Sequence, residues 1–172
     1  MSKPALSLQA PVLLAQRHDL TSFASGEEAL DDWLRQRALA NLENGASRSY
    51  VICPAGEDRV VGYYALAMGQ VLNREVPGSM RRNMPANIPA VMLARLAVDK
   101  TVQGRGLGGS LLQDAVGRSL RAAQAIAARL MIVHAISPAA EAFYLHHGFA
   151  RIGGQAQALA LDLVKVRVFS SR

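Results

Sequence analysis

The chain offers little to brace a fold from outside. Of its 172 residues one is cysteine, Cys53, so no internal disulfide forms. A disulfide-stapled secreted scaffold is thereby excluded and a reducing, cytoplasmic compartment fits. Cys53 falls in an expected strand, where a lone cysteine acts as a small apolar side chain. Aromatics make up 5% against 51% hydrophobic residues, so the core is expected to be aliphatic. No apolar run approaches ~18 residues, so no membrane span is expected. The stretch from Ala5 to Ala15 is mildly apolar, but Gln9 and Pro11 interrupt it and only Lys3 precedes it, which does not read as a signal peptide. Internal repeats, low-complexity tracts and interdomain linkers are also missing, so a single domain over residues 1–172 is expected, with no metal site.

Acid is the scarcer charge: 13 Asp and Glu against 19 Lys and Arg give a net charge of +6 and a pI near 10.1. Such a balance favours acidic partners. Its distribution is uneven. Asp19, Glu27, Glu28, Asp31, Asp32 and Glu43 outnumber the bases around them, whereas Arg74, Arg81, Arg82, Arg95, Lys100 and Arg105 face only Glu75 and Asp99. Arg81 and Arg82 sit among Pro77, Gly78, Pro85 and Pro89, a segment that reads as a long loop. Such a loop either meets a phosphate backbone or is a solvated face.

What the chain does have is a strand, a glycine turn and a helix in immediate succession. Leu93 to Asp99 is followed by Gln103-Gly104-Arg105-Gly106-Leu107-Gly108-Gly109-Ser110. That turn delivers backbone N–H groups to the positive end of a helix expected from Gly108 to about Ala123, which suits a phosphate or pyrophosphate. Gly104, Gly106 and Gly109 satisfy the dinucleotide template, but a spacer separates strand from loop and the next strand carries no ribose-binding carboxylate. No Gly-Lys-Ser/Thr closes the run, so a Walker loop is excluded as well.

Other elements follow from periodicity. Ser25-Gly26-Glu27-Glu28 reads as a capping box opening one amphipathic helix through Leu30, Trp33, Leu34, Ala38 and Leu42 to Asn44-Gly45. Ser49 to Cys53 and Arg59 to Met68 read as a hairpin, and Val91 to Val98 and Leu130 to Ala135 as buried strands joined by a helical crossover. Ser137 caps and Pro138 starts a short helix that Gly148 stops, which places Phe143 and Tyr144 late on it. The tail from Leu159 to Phe169 alternates but changes phase between Leu163 and Val164, so a bulge or bend is expected there, with the strand as an edge for pairing.

Taken together, the Leu-Ala-Val strand, the Gln-Gly-Arg-Gly-Leu-Gly turn and the later Ala-x-x-Phe-Tyr-x-x-x-Gly-Phe run resemble the GNAT N-acyltransferases. The resemblance implies an α/β fold: a mixed central sheet flanked by helices, whose splayed parallel strands, here Val91 to Val98 and Leu130 to Ala135, bind acetyl-CoA. Phe23-Ala24-Ser25-Gly26, Leu30-Asp31-Asp32-Trp33-Leu34, Ser49-Tyr50-Val51, Val61 to Leu66, Met84-Pro85 and Ile88-Pro89 narrow it. This ordered set resembles the GNAT toxins of type II toxin-antitoxin modules, which acetylate charged tRNA and are neutralised by a ribbon-helix-helix antitoxin.

By that resemblance, Gln103, Gly104, Arg105, Gly106, Leu107, Gly108, Gly109 and Ser110 hold the CoA pyrophosphate. Leu96, Ala97 and Val98 pair with the pantetheine arm, Phe143 adds to the cofactor site, and Tyr144 protonates the departing thiolate. Arg48, Arg81, Arg82 and Arg95 position the tRNA, and a homodimer is implied. No residue stands out as a general base; His134, His146 and His147 read as structural. A free α-amine with pKa near ~8 is roughly one-tenth neutral at pH 7, whereas lysine at ~10.4 is below a thousandth. An α-amino acceptor therefore needs no strong base, which favours aminoacyl-tRNA or a protein N-terminus over lysine. The alternative expectation is an acetyltransferase acting on a protein N-terminus or a small-molecule amine.

Overall fold

The computed structural model describes residues 5–155 and 157–170. Among them, thirteen α-helices and β-strands follow in the order β1 (Val12–Leu13), α1 (Glu28–Gln36), α2 (Ala38–Glu43), β2 (Arg48–Ile52), β3 (Gly62–Leu72), α3 (Gly78–Arg81), β4 (Asn87–Val98), α4 (Leu107–Ala125), β5 (Leu130–His134), α5 (Pro138–His146), β6 (Ala150–Arg151), β7 (Ala158–Asp162) and α6 (Leu163–Ser170). The seven strands order as β1-β2-β3-β4-β5-β7-β6. β4 and β5 run parallel from Ala90↔Leu130 to Leu93↔Val133, whereas β2 with β3 and β5 with β7 are antiparallel. This is the mixed, helix-flanked α/β sheet expected from the sequence. The chain divides into two compact units, Met1–Leu66 with Arg95–Asp114 and Ala67–Ala94 with Ala115–Arg172.

In the first unit the few aromatics are concentrated rather than spread. Tyr63 is fully buried, stacks on Trp33 at 6.1 Å, meets the edge of Phe23 at 5.6 Å and donates its hydroxyl to Leu30 O at 2.7 Å. Leu14, Leu34, Ala38, Val51 and Val60 complete this aliphatic core. The single helix expected here is two, broken at Arg37, which has φ −123° and ψ −31°. Its capping differs as well. Gly26, at φ +100°, turns the chain before the helix begins, so Ser25 stands ahead of the N-cap residue Glu27. The Ser25 hydroxyl accepts from Glu27 N at 3.1 Å and donates to the Asp31 carboxylate at 2.6 Å.

In the second unit β5 is buried along Leu130 to Val133, as a central strand apolar on both faces should be. Its Leu130 and Ile132 pack with Val71, Val76, Met80, Ile88, Ala90 and Ala160. The basic segment is not the long loop expected. Asn73 to Glu75 form one 3-10 turn, Gly78 to Arg81 form α3, and β4 starts at Asn87, so Pro89 lies inside a strand. The Asn73 side-chain amide donates to Met84 O at 3.1 Å and Pro85 O at 3.2 Å, which draws the segment tight.

The tail departs from expectation for an equally local reason. β7 stops at Asp162 and α6 begins at Leu163, so the change of phase marks a new element rather than a bulge. The Asp162 carboxylate accepts from Val164 N at 3.1 Å, which opens the helix. β7 is paired by β5 on one side and β6 on the other, and so is no free edge.

Candidate active site

The glycine turn of the first unit is fastened at its root and open at its tip. Burial pushes the Asp99 carboxyl up, but hydrogen bonds from the Thr101 hydroxyl and from the Ala24 and Thr101 amides outweigh it and hold the group below its ordinary value. Gln103 Nε2 donates to Val98 O at 2.9 Å and Ser25 O at 2.8 Å, which commits this nitrogen to positioning the turn. Gly104 and Gly106 then adopt φ +76° and +77°, the left-handed region that favours glycine, and a Cβ on either would meet nothing within 4 Å. The open side is a cradle that side chains would fill.

α4 starts directly behind it. Ser110 N reaches Gly106 O at 3.2 Å, so the amides of Leu107, Gly108 and Gly109 precede the intrahelical ladder at the positive end of the helix dipole. Leu107 is buried and roots the turn, while Arg105 is exposed. Further along, Leu111 comes within 3.0 Å of where a Cβ on Gly62 would stand, so that glycine lets helix and β3 meet closely. Ala97 is buried between the half-buried Leu96 and Val98. An anionic pyrophosphate fits the turn.

In the second unit α5 is built as the sequence indicates. Ser137 Oγ accepts from Ala140 N at 3.1 Å, Pro138 occupies the first turn, and Gly148 takes φ +93° after the helix. Tyr144 is 6% exposed and meets the edges of Phe143 at 5.1 Å and Phe149 at 5.4 Å. Burial drives its phenol well above the ordinary value, so it holds its proton at neutral pH. Half-buried Phe143 also lies 4.5 Å from the His147 ring, and His147 Nδ1 is 2.8 Å from Phe143 O.

The four expected arginines divide between the units. Arg48 is exposed at the start of β2, and Arg95 places its guanidinium 4.9 Å over the Trp33 ring. Arg81 ends α3 and Arg82 caps it, both exposed. Two features carry no signature in the sequence. His18 is buried with Nδ1 accepting from Ala15 N at 2.9 Å and Nε2 without a partner. A cavity of about 270 Å³ lies in the second unit, with Glu75 and His134 in its lining. Neither leaves a local signal, because each depends on contacts distant in sequence.

Sheet, turn and buried phenol define a class. Residues 47–151 match the acetyltransferase (GNAT) domain family, so the chain belongs to the GNAT acetyltransferases and is an N-acetyltransferase that draws on acetyl-CoA. Within that class it is 53% identical over 140 residues, 81% of this chain and 83% of the relative, to a tRNA-acetylating toxin of Mycobacterium tuberculosis. The solved structure of AtaT complexed with acetyl-methionyl-tRNAfMet is similar with a TM-score of 0.89 and 29% identity, covering 95% of this chain and 99% of that one. A tyrosine-to-phenylalanine form of AtaT, bound to the C-terminus of the antitoxin AtaR and to acetyl-CoA, matches with a TM-score of 0.81 and 27% identity over 96% of this chain and 99% of that one. No helix among the described residues is long and apolar enough to cross a membrane.

Proposed function

We propose that the chain acetylates the α-amine of aminoacyl-tRNA and blocks translation as the toxin of a toxin-antitoxin module, working as one catalytic domain. The observation that carries this reading is the 53% identity, over most of both chains, to a tRNA-acetylating toxin. Acetyl-CoA supplies the acetyl group as a thioester. The backbone amides of Gly104, Gly106, Gly108 and Gly109 bind the pyrophosphate, Arg105 adds a cation, and Gln103, Leu107 and Ser110 keep the turn in shape. Leu96, Ala97 and Val98 offer strand backbone to the pantetheine arm, with an amide near Leu96 or Ala97 polarising the carbonyl and Phe143 adding an apolar wall. Tyr144 holds the proton that the leaving sulfur takes.

Arg48, Arg81, Arg82 and Arg95 orient the acceptor stem through phosphate contacts, which position without reading sequence. The partners we infer are a ribbon-helix-helix antitoxin and a second copy of the chain, in the cytoplasm where charged tRNA is found. The AtaT complex with its antitoxin supports an antitoxin partner. The test is transfer of radiolabelled acetyl from acetyl-CoA to a pool of charged tRNA, with deacylated tRNA and the Tyr144→Phe variant as controls. Label confined to charged tRNA and lost in the variant is expected. Label on peptide N-termini or small amines, with none on charged tRNA, would overturn the reading.

A further inference from the structure

The cavity of the second unit lies along β4 and β5, lined by residues from Asn87 at the start of β4 to His134 at the end of β5. Leu93↔Val133 is the last register pair of β4 with β5, and His134, the next residue on β5, lines the cavity. The floor is apolar: Met92 and Ile132 are register partners side by side on one sheet face, and Ile152 joins them.

One wall carries charge of a single sign. Glu75 is half-buried, and its backbone oxygen accepts from Gly153 N at 2.7 Å. A Cβ on Gly154 would fall 2.5 to 2.7 Å from the Glu75 carboxyl atoms, so the glycine provides the seat on which the carboxylate rests. Among the described residues no hydrogen bond or ion pair reaches that carboxylate, and no lysine or arginine lines the cavity. A carboxylate set in a partly apolar cavity without a cation is a site for one. It repels phosphate, so the tRNA backbone does not enter.

We propose that this cavity receives the aminoacyl group of the acceptor, with the Glu75 carboxylate binding the protonated α-amine, which gives its proton to solvent before the neutral amine attacks the thioester, and Met92, Ile132 and Ile152 contacting the amino-acid side chain. The inference rests on the acceptor reading above. It adds that Glu75 selects a primary amine carried on an uncharged or apolar body, and that the cavity wall sets which amino acid is accepted.

Glu75→Gln keeps the shape of the side chain and removes its charge; Glu75→Lys reverses the charge. The test uses the full chain with individually charged tRNAs, amino-acid amides and a peptide with a free N-terminus as acceptors, beside calorimetric titration of the same amides. Glu75→Gln is expected to raise KM for charged tRNA about tenfold, the loss of one charge-assisted hydrogen bond, and Glu75→Lys more. The KM for acetyl-CoA and the melting temperature stay at the wild-type values. Unchanged KM for every acceptor in Glu75→Gln, or amide binding that is absent in the wild type, would overturn the proposal. If the wild type labels amides or peptides and no charged tRNA, the tRNA reading falls alone, and the same ratio measured on those amines decides the cavity.

Discussion

Replacing Tyr144 by phenylalanine deletes one hydroxyl and leaves the ring between Phe143 and Phe149, so the change isolates chemistry from packing. The expected loss is about 10² to 10⁴ in kcat, the range for a positioned proton donor, with acetyl-CoA affinity unchanged by calorimetry. Because burial lifts this phenol above its ordinary value of 10.0, the rate should not decline near that pH through Tyr144 ionisation. Tyr63 is buried too, yet its hydroxyl is spent on Leu30 O, which makes it structural. His18 gives a second residue-level expectation. Burial, then the Arg17 charge, lowers its pKa below 6.5 in the folded chain. The unfolded chain therefore takes up this proton first as pH falls, and the stability present above 6.5 is lost progressively below it. Urea unfolding compared at about pH 7.5 and about pH 5.5 should show that loss, and His18→Gln should flatten it. Tyr144 was legible because Ser137, Pro138 and Gly148 bracket its helix within a few residues. His18 and Glu75 were not, since what buries one and seats the other lies far along the chain.

At the level of elements, the glycine turn was readable for the same reason of locality, while α6 was not. Val164, Val166 and Val168 alternate as a strand would, and it is the Asp162 carboxylate that opens a helix there. That carboxylate is in turn held by Arg129, with Nε at 3.0 Å and a terminal nitrogen at 3.1 Å, and the pair is largely buried. Asp162→Ala leaves the Arg129 charge without its partner and should cost about 3 to 5 kcal/mol in denaturant unfolding, with loss of helical signal from the tail. The turn should respond differently. Gly106→Ala meets no atom within 4 Å, so its cost is the left-handed backbone alone, about 1 kcal/mol. Gly106→Leu should add a marked rise in the KM for acetyl-CoA without a matching further loss of stability, because its bulk projects into the open cradle while its Cβ, unbranched like that of alanine, adds little backbone strain. Equal losses of stability and affinity in both variants would mean that the turn is only structural.

For the whole molecule, the α/β class was visible in the order of strand and helix patterns, but its division into two units was not. Those units exchange within β3, β4 and α4, where no linker composition marks the boundary. Charge is the other molecular property, and it separates the acceptors. A net charge of +6 draws any polyanion, but only contacts that displace counterions at phosphates make kcat/KM fall steeply with salt. Arg81 and Arg82 are exposed on and beside α3, away from the core that α3 closes with Met80. Arg81→Ala and Arg82→Ala should therefore each reduce the slope of log kcat/KM against log salt for charged tRNA by about 0.7 to 0.9, and leave melting unchanged. The same variants should not alter acetylation of an uncharged-bodied amino-acid amide at any salt, since that acceptor presents no phosphate to them. A salt slope that is identical in wild type and variants would remove these arginines from the tRNA path, and leave Arg48 and Arg95 to carry it.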